Sequence, residues 1–272
     1  MTHPLGLGHF TFLDLPPAAL IRLAGQTGFA FVGLRLHPAM PGGLSYALPP
    51  GSAALAETRA AMAGEGVSVY DIEAVVVDET FAPDAVRPAL EQAAELGARR
   101  LNIAADDADE ARLQANFDAV CDLAADYGVG VDLECMAWRS VNTLGKCAAL
   151  VACSGRVNAG VLVDTLHLYR CCGSAAEVAA LPAGAVRSAQ LCDAAAQPPD
   201  TMEARIAEAR GQRLPPGAGG LDLAAVVRAL PRGTVFSVEL PMASDEPPEP
   251  RARRIFTATQ ALLARAFEGS PA

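Results

Sequence analysis

Short apolar runs alternate with alanine-rich segments along the whole chain. The runs consist mainly of valine, leucine, isoleucine and alanine, and many of them end at a polar residue. Uninterrupted apolar runs are typical of parallel strands that are covered on both faces. We therefore predict eight strands, which cover residues 5–11, 29–36, 67–77, 100–104, 130–135, 159–164, 186–192 and 235–240.

The segments between these runs carry the signals of helices. Pro16 opens the first segment, and Gly97 and Gly128 stand where helices are expected to end. The predicted helices cover residues 16–28, 52–65, 82–96, 109–127, 141–152, 175–181, 221–230 and 250–266. A further helix is predicted at residues 202–210, inside a polar insertion that spans residues 194–220.

Eight strand–helix units in 272 residues predict an α/β fold, a (β/α)8 TIM barrel of parallel strands. A doubly wound open sheet is the alternative. The first strand-to-helix turn, residues 9–14, contains no glycine, which argues against the phosphate-binding loop of a nucleotide-binding open sheet. No shift in composition marks a linker, so we expect residues 1–272 to form a single domain.

The composition narrows the classes of function. Hydrophobic residues make up 51% of the chain and charged residues 19%, as in ordinary globular proteins. The formal charge of −10 argues against a nucleic-acid partner. No apolar run is long enough to span a membrane, and the N-terminus lacks the pattern of a signal peptide, so we expect a cytoplasmic protein. The seven cysteines form no C-x-x-C pair and are expected to be buried thiols.

Polar residues close four consecutive predicted strands. The fifth strand ends in Glu134, the sixth ends in Asp164, the seventh carries Gln190 and the eighth ends in Glu239. Because the strands of a barrel converge on one mouth, we expect these side chains to lie close together. Any one acid could simply cap the following helix. Several carboxylates in one buried mouth repel one another, however, and a divalent cation removes that repulsion.

Five short runs combine a strand or a turn with a polar residue. They are Val131-Asp132-Leu133-Glu134, Leu162-Val163-Asp164-Thr165-Leu166-His167, Gln190-Leu191-Cys192-Asp193, Arg213-Leu214-Pro215-Pro216-Gly217 and Ser237-Val238-Glu239. In this order the runs resemble the xylose-isomerase-like TIM-barrel superfamily. That group includes sugar phosphate isomerases and epimerases, ketose 3-epimerases, inosose dehydratases and 3-dehydroshikimate dehydratases.

The resemblance implies a set of functional residues. It implies that one divalent metal is bound by Glu134, Asp164, Gln190 and Glu239, and that His167 and Arg213 face the substrate. Oxygen donors of this kind suit Mn²⁺, Mg²⁺ or Co²⁺ best, and Zn²⁺ is the alternative.

Two positions depart from the family pattern. The family usually has histidine where this chain has Gln190, although an amide oxygen can also bind a metal. The family's Pro-Gly-Glu-Gly turn is Pro216-Gly217-Ala218-Gly219 here, so an acidic side chain is absent beside the site.

The expected chemistry is removal of a proton from the carbon next to a carbonyl group. A metal that binds the carbonyl would stabilise the resulting enediolate. Glu134 and Glu239 could remove and return the proton on opposite faces, with His167 polarising the substrate oxygen, which gives an isomerase or epimerase of a small sugar or keto-polyol. If a neighbouring hydroxyl group is lost instead, the enzyme is a dehydratase. The third hypothesis is a non-catalytic member of the family.

Four further residues are candidates for substrate binding. His9, Arg35 and Glu73 are expected at the ends of the first three strands, and Trp138 follows Glu134 closely enough to stack on a sugar face. Barrels of this type often form homo-oligomers, but the sequence identifies no interface.

Overall fold

The computed structural model describes residues 3–268. Its eight strands form one closed barrel in chain order, and every neighbouring pair is parallel. The predicted (β/α)8 barrel is thus confirmed, and the open sheet is wrong. The strands are β1 (Leu5–Leu7), β2 (Phe31–Arg35), β3 (Ser68–Asp78), β4 (Arg100–Asp106), β5 (Gly130–Glu134), β6 (Ala159–Asp164), β7 (Val186–Leu191) and β8 (Val235–Val238).

Helices surround the barrel and begin and end on the expected signals. Ser52 and Asp109, for example, accept backbone N–H groups of the helices that follow them, and Gly97 ends a helix with a φ of 69°. The helices are α1 (Pro17–Thr27), α2 (Ala53–Glu65), α3 (Arg87–Leu96), α4 (Glu110–Asp126), α5 (Leu144–Ser154), α6 (Thr165–Arg170), α7 (Ala175–Ala179), α8 (Met202–Gly211), α9 (Leu223–Ala229) and α10 (Pro248–Phe267).

The first strand is shorter than predicted. After β1 the chain turns into a 3₁₀ helix over His9–Phe12. The carboxylate of Glu73 accepts the N–H groups of His9 at 2.9 Å and Phe10 at 3.2 Å, which removes these groups from the strand ladder. Glu73 itself lies inside β3, because the strand continues to Asp78 after a register shift between Ile72 and Val75. The predictions that His9 and Glu73 end their strands are therefore wrong.

The short helix α6 was not predicted. Its six residues lie directly after β6, and the Asp164 side chain caps it by accepting the N–H of His167 at 3.0 Å. A single capped turn of this length has no amphipathic period to detect in a sequence. The turn matters because it places His167 beside Glu134, the last residue of β5.

The prediction that the cysteines are buried thiols holds for five of the seven and is wrong for two. All seven cysteines are free, and five of them are buried, Cys153 and Cys172 being exposed. Within residues 3–268 there is no helix with the length and apolar character needed to cross a membrane.

Gly33 lies on β2 where the barrel interior has no room for a side chain. A Cβ atom there would lie 2.5 Å from Asp71 Oδ1 and 2.5 Å from Glu73 Oε1. Both carboxylates are buried and held by hydrogen bonds, so we expect Gly33→Ala to lower the free energy of unfolding by about 1–3 kcal/mol in urea titrations.

Gly64→Ala is the matched control for this prediction. Gly64 lies in α2, and nothing would lie within 4 Å of its added Cβ. Alanine stabilises a helix interior by up to about 1 kcal/mol relative to glycine. If both substitutions change the stability in the same direction and by a similar amount, the crowding argument for Gly33 is wrong.

Candidate active site

A cavity of about 340 Å³ opens at the carboxyl ends of the strands. Its polar lining includes Glu134 from the end of β5, Glu239 from the residue after β8, and His167 from α6. Apolar side chains of the strand–helix loops form much of the remaining wall, among them Phe10 and Trp138. The predicted strand-end residues thus meet at the mouth where barrel enzymes carry their chemistry.

Three of these side chains form a compact buried group. The possible ligand atoms of Glu134, Asp164 and His167 all lie within 4.8 Å of one another. His167 Nε2 lies 3.9 Å from Glu134 Oε1. Glu239 and Gln190 lie next to this group. Gln190 Nε2 and Glu239 Oε1 are 3.4 Å apart. All five side chains are at least nine-tenths buried.

Arg213 joins the two halves of the cluster. Its Nη1 donates to Asp164 Oδ2 at 2.6 Å and to the backbone oxygen of Glu239 at 3.0 Å. Its Nη2 contacts Glu239 Oε2 at 3.0 Å and donates to His167 Nε2 at 3.2 Å, and its Nε donates to the oxygen of Ala209 at 2.9 Å. A guanidinium group has five N–H donors, so Arg213 can contact Asp164, His167 and Glu239 at the same time.

Burial and charge shift the acids of the cluster in different directions. Burial and the nearby charges of Asp164 and Glu239 raise the pKa of Glu134. Burial also raises the pKa of Glu239 to about 7, although Arg213 acts against this shift. Burial alone would raise the pKa of Asp164 as well, but Arg213 and His167 outweigh it, and the pKa falls. Asp164 is thus the ionised partner of Arg213.

His167 is neutral at physiological pH. Burial and the guanidinium of Arg213 lower its pKa to about 4, despite the opposing charge of Asp164. Because Arg213 can only donate, His167 Nε2 is the acceptor and the ring proton lies on Nδ1. Nδ1 has no hydrogen-bond partner in the described part of the chain.

Unpartnered oxygens show that the cluster can hold a cation. Within residues 3–268, neither Glu134 Oε1 nor Gln190 Oε1 has a hydrogen-bond partner, although both atoms are buried. Unpaired buried oxygens carry a free-energy cost that a bound ion removes. Carboxylate and amide oxygens are the ligands of hard divalent cations. The residues present therefore fit a divalent metal, and the Gln190 amide supplies an oxygen at the position where the family usually has histidine.

Metal affinity should depend on pH. Below about pH 7 the metal-free protein holds a proton on Glu239, and a bound cation must displace it. We therefore expect the affinity for Mg²⁺ to rise by up to about tenfold per pH unit as the pH approaches 7, and to level off above it. Calorimetry in two buffers of different ionisation enthalpy measures both affinity and proton release. An Mg²⁺ affinity that is constant between about pH 6 and pH 8 would contradict the raised pKa of Glu239.

Asp193 organises the loop that carries Arg213. Its Oδ1 accepts the N–H groups of Ala194 at 2.9 Å and Leu221 at 3.1 Å. Its Oδ2 accepts those of Gly217 at 2.9 Å and Gly219 at 3.0 Å. The turn after Arg213 is therefore built around this one buried carboxylate, which explains the spacing of the two motifs without a metal-binding role for Asp193.

The four further substrate-binding candidates fall into two pairs. His9 uses both ring nitrogens on backbone groups, since Nε2 donates to the Leu15 oxygen and Nδ1 accepts the Arg35 N–H, both at 2.9 Å. Glu73 binds backbone N–H groups and the Arg35 side chain. Both residues support the site from beneath and are outside the cavity lining. Arg35 and Trp138, in contrast, line the cavity.

Two arginines of the cavity wall carry no signal in the sequence. Arg139 follows Trp138 in the loop after β5 and pairs with Asp106 at 2.6 Å, and Arg210 lies on α8. Neither belongs to a recognisable motif, and arginine is common in this chain, so only the packing of the loops identifies them. Together with Arg35 and Arg213 they give the cavity four guanidinium groups.

One family model matches most of the chain. The family described as xylose isomerase-like TIM barrel matches residues 21–261. A 3-dehydroshikimate dehydratase of Pseudomonas aeruginosa is 33% identical over 125 residues, which are 45% of this chain and 19% of that protein. The match therefore spans less than a fifth of the curated relative's length.

Solved structures share the fold. A crystal structure of the IolI protein with a zinc atom bound has a TM-score of 0.78 at 17% identity, and covers 97% of this chain and 99% of its own. A fusion of a xylose isomerase-like TIM barrel with a 4-hydroxyphenylpyruvate dioxygenase has a TM-score of 0.81 at 18% identity, over 98% of this chain and 43% of its own. Other matches carry the names of ketose 3-epimerases and of a probable 3-DHS dehydratase. The chain belongs to the family of xylose isomerase-like TIM barrels.

Proposed function

We propose that this protein is a divalent-metal-dependent dehydratase that removes water from a small, cyclic, anionic keto-polyol such as 3-dehydroshikimate. One observation carries the choice of reaction. Glu134 has a free, buried carboxylate oxygen in the cavity, whereas both side-chain oxygens of Glu239 are engaged by Gln190 and Arg213. Epimerisation needs two free bases on opposite faces, and elimination needs only one.

Glu134 is the proposed acid and base. As a carboxylate it takes the proton from the carbon next to the carbonyl group, and as a carboxylic acid it gives that proton to the departing hydroxyl, which leaves as water. Burial raises its pKa, so that the carboxylate is a stronger base than an exposed glutamate would be. A bound metal would act as a Lewis acid on the substrate oxygens.

The arginines of the cavity favour an anionic substrate. Arg35, Arg139, Arg210 and Arg213 line the cavity together with two acids, Glu134 and Glu239, whose pKa values are raised. Arg35 is almost completely buried, and its Nε has no hydrogen-bond partner within the described residues. A guanidinium group binds a carboxylate in a bidentate manner, which matches the acid group of 3-dehydroshikimate.

The name of the curated relative points to the same reaction. That protein is a 3-dehydroshikimate dehydratase, and its identity of 33% covers part of this chain. We further propose Glu134, Asp164, Gln190 and Glu239 as the metal ligands and Mn²⁺, Mg²⁺ or Co²⁺ as the metal. Zn²⁺ is the alternative metal, since the IolI structure contains zinc.

Epimerisation of a ketose is the second candidate function. Glu239 lines the same cavity, and its pKa of about 7 would let it return a proton near neutral pH if the substrate displaced its partners. A trial with D-allulose and D-fructose beside 3-dehydroshikimate separates the two reactions.

The test is turnover by the purified protein with each metal in turn and with a chelator. Dehydration of 3-dehydroshikimate gives an aromatic dihydroxybenzoate, which ultraviolet absorbance detects directly. We expect this product with Mn²⁺, Mg²⁺ or Co²⁺ and its loss with the chelator. Ketose epimerisation without aromatic product would favour the second candidate, and no turnover of either substrate by a metal-loaded protein would favour a non-catalytic role.

A further inference from the structure

Arg213 already compensates the charge that a metal would compensate. Its guanidinium contacts Asp164 Oδ2 at 2.6 Å and Glu239 Oε2 at 3.0 Å, and these are two of the acids proposed as metal ligands. The group is almost completely buried, and each of its three nitrogens has a hydrogen-bond acceptor. It is therefore a strong competitor for the same oxygens.

The remaining oxygens of these two acids are also occupied. Asp164 Oδ1 accepts the N–H of His167 at 3.0 Å, and Glu239 Oε1 contacts Gln190 Nε2 at 3.4 Å. A divalent cation at the proposed site needs oxygens from Asp164 and Glu239, and it repels the guanidinium group at this short range. It is therefore unfavourable for the two carboxylates to bind a metal and Arg213 at the same time.

We propose that Arg213 is an internal counter-cation that exchanges with the divalent metal. This inference rests on the proposed metal site. In the metal-free protein Arg213 pairs with Asp164 and contacts Glu239. Metal binding releases its guanidinium group toward the cavity, whose wall it already lines, and the metal takes the place of Arg213 on Glu239, which therefore stays engaged. Arg213 then becomes available to an anionic substrate, so that the substrate binds after the metal.

The test is the affinity of the metal-free protein for Mg²⁺, measured by calorimetry in the wild type and in Arg213→Ala. We expect the variant to bind Mg²⁺ at least about tenfold more tightly, because a competing cation has been removed. Added guanidinium chloride, far below denaturing concentrations, should restore the competition and weaken Mg²⁺ binding by the variant. Sodium chloride at equal ionic strength corrects for screening.

Arg112→Ala is the matched control. Arg112 pairs with Asp107 at 2.6 Å and is outside the cavity lining. We expect its Mg²⁺ affinity to equal that of the wild type and to be insensitive to guanidinium. A folded Arg213→Ala protein whose affinity is unchanged or weaker, while the wild type binds Mg²⁺, overturns the exchange and leaves the metal-dependent function standing.

The other outcomes are equally decisive. If only Arg213→Ala binds Mg²⁺, the result supports competition between Arg213 and the metal. It overturns the proposal that the wild-type protein is metal-dependent. If neither protein binds Mg²⁺ or Mn²⁺, the exchange and the metal-dependent function are both overturned.

Two further readouts apply if Arg213→Ala does not fold. Arg213→Lys keeps the charge and should retain an affinity within about threefold of the wild type, so a tenfold gain in this variant would contradict the proposal. Trp138 is the only tryptophan of the chain, and its ring lies 5.2 Å from that of His167, which accepts from Arg213. Release of Arg213 should therefore change Trp138 fluorescence, and the midpoint of this change should equal the midpoint of Mg²⁺ binding. Unchanged fluorescence at saturating Mg²⁺ overturns the release.

Discussion

Glu134→Gln should lower the rate of 3-dehydroshikimate dehydration by about 10³-fold or more. The substitution keeps the shape of the side chain but removes the group that takes and returns the proton, and positioned acid–base catalysis contributes about 10²–10⁴-fold to a rate. It also weakens one proposed metal ligand. Turnover is therefore measured at saturating Mn²⁺, with the metal content of the variant determined in parallel.

An exposed glutamate provides the control for this result. Glu177 lies on α7, away from the cavity, and Glu177→Gln should leave the rate unchanged. A folded, metal-loaded Glu134→Gln protein with a rate within tenfold of the wild type would show that Glu134 is not the acid and base. In that case Glu239, with its pKa near 7, becomes the residue to replace.

Asp193→Ala should have the largest effect on stability. Four backbone N–H groups, those of Ala194, Gly217, Gly219 and Leu221, lose their only side-chain acceptor in the described structure. An unsatisfied buried N–H group costs about 1–3 kcal/mol, and of these four residues only Ala194 is buried, so the other three losses are smaller and the four are not additive. We expect the free energy of unfolding to fall by about 3 kcal/mol or more in urea titrations.

Asp222→Ala isolates the effect of an ordinary cap on the same segment. Asp222 accepts a single N–H group, that of Ala225, at the start of α9. Loss of one cap costs about 1 kcal/mol. Similar losses for Asp193→Ala and Asp222→Ala would contradict the idea that the Arg213 loop is built around Asp193.

Local pattern was sufficient to find most of the barrel and the strand-end residues. Strand and helix periods depend on neighbouring residues, and closure of consecutive strands brings their carboxyl ends together. The proximity of Glu134, Asp164 and Gln190 follows from this geometry alone. His9 does not end β1, because hydrogen bonds from the 3₁₀ helix to Glu73 end that strand early. Glu73 does not end β3, because this strand continues to Asp78.

The sequence by itself determined the eightfold order of strands and helices and the positions at which polar side chains leave the strands. Only the tertiary structure decided which groups compensate the charges of these side chains. Arg213 and Asp164 are 49 residues apart, and their contact depends on how the insertion after β7 packs over the mouth. Partners of buried charges are chosen by packing across such distances, which residue spacing does not encode. The same packing separates Arg35 and Trp138, which line the cavity, from His9 and Glu73, which support it.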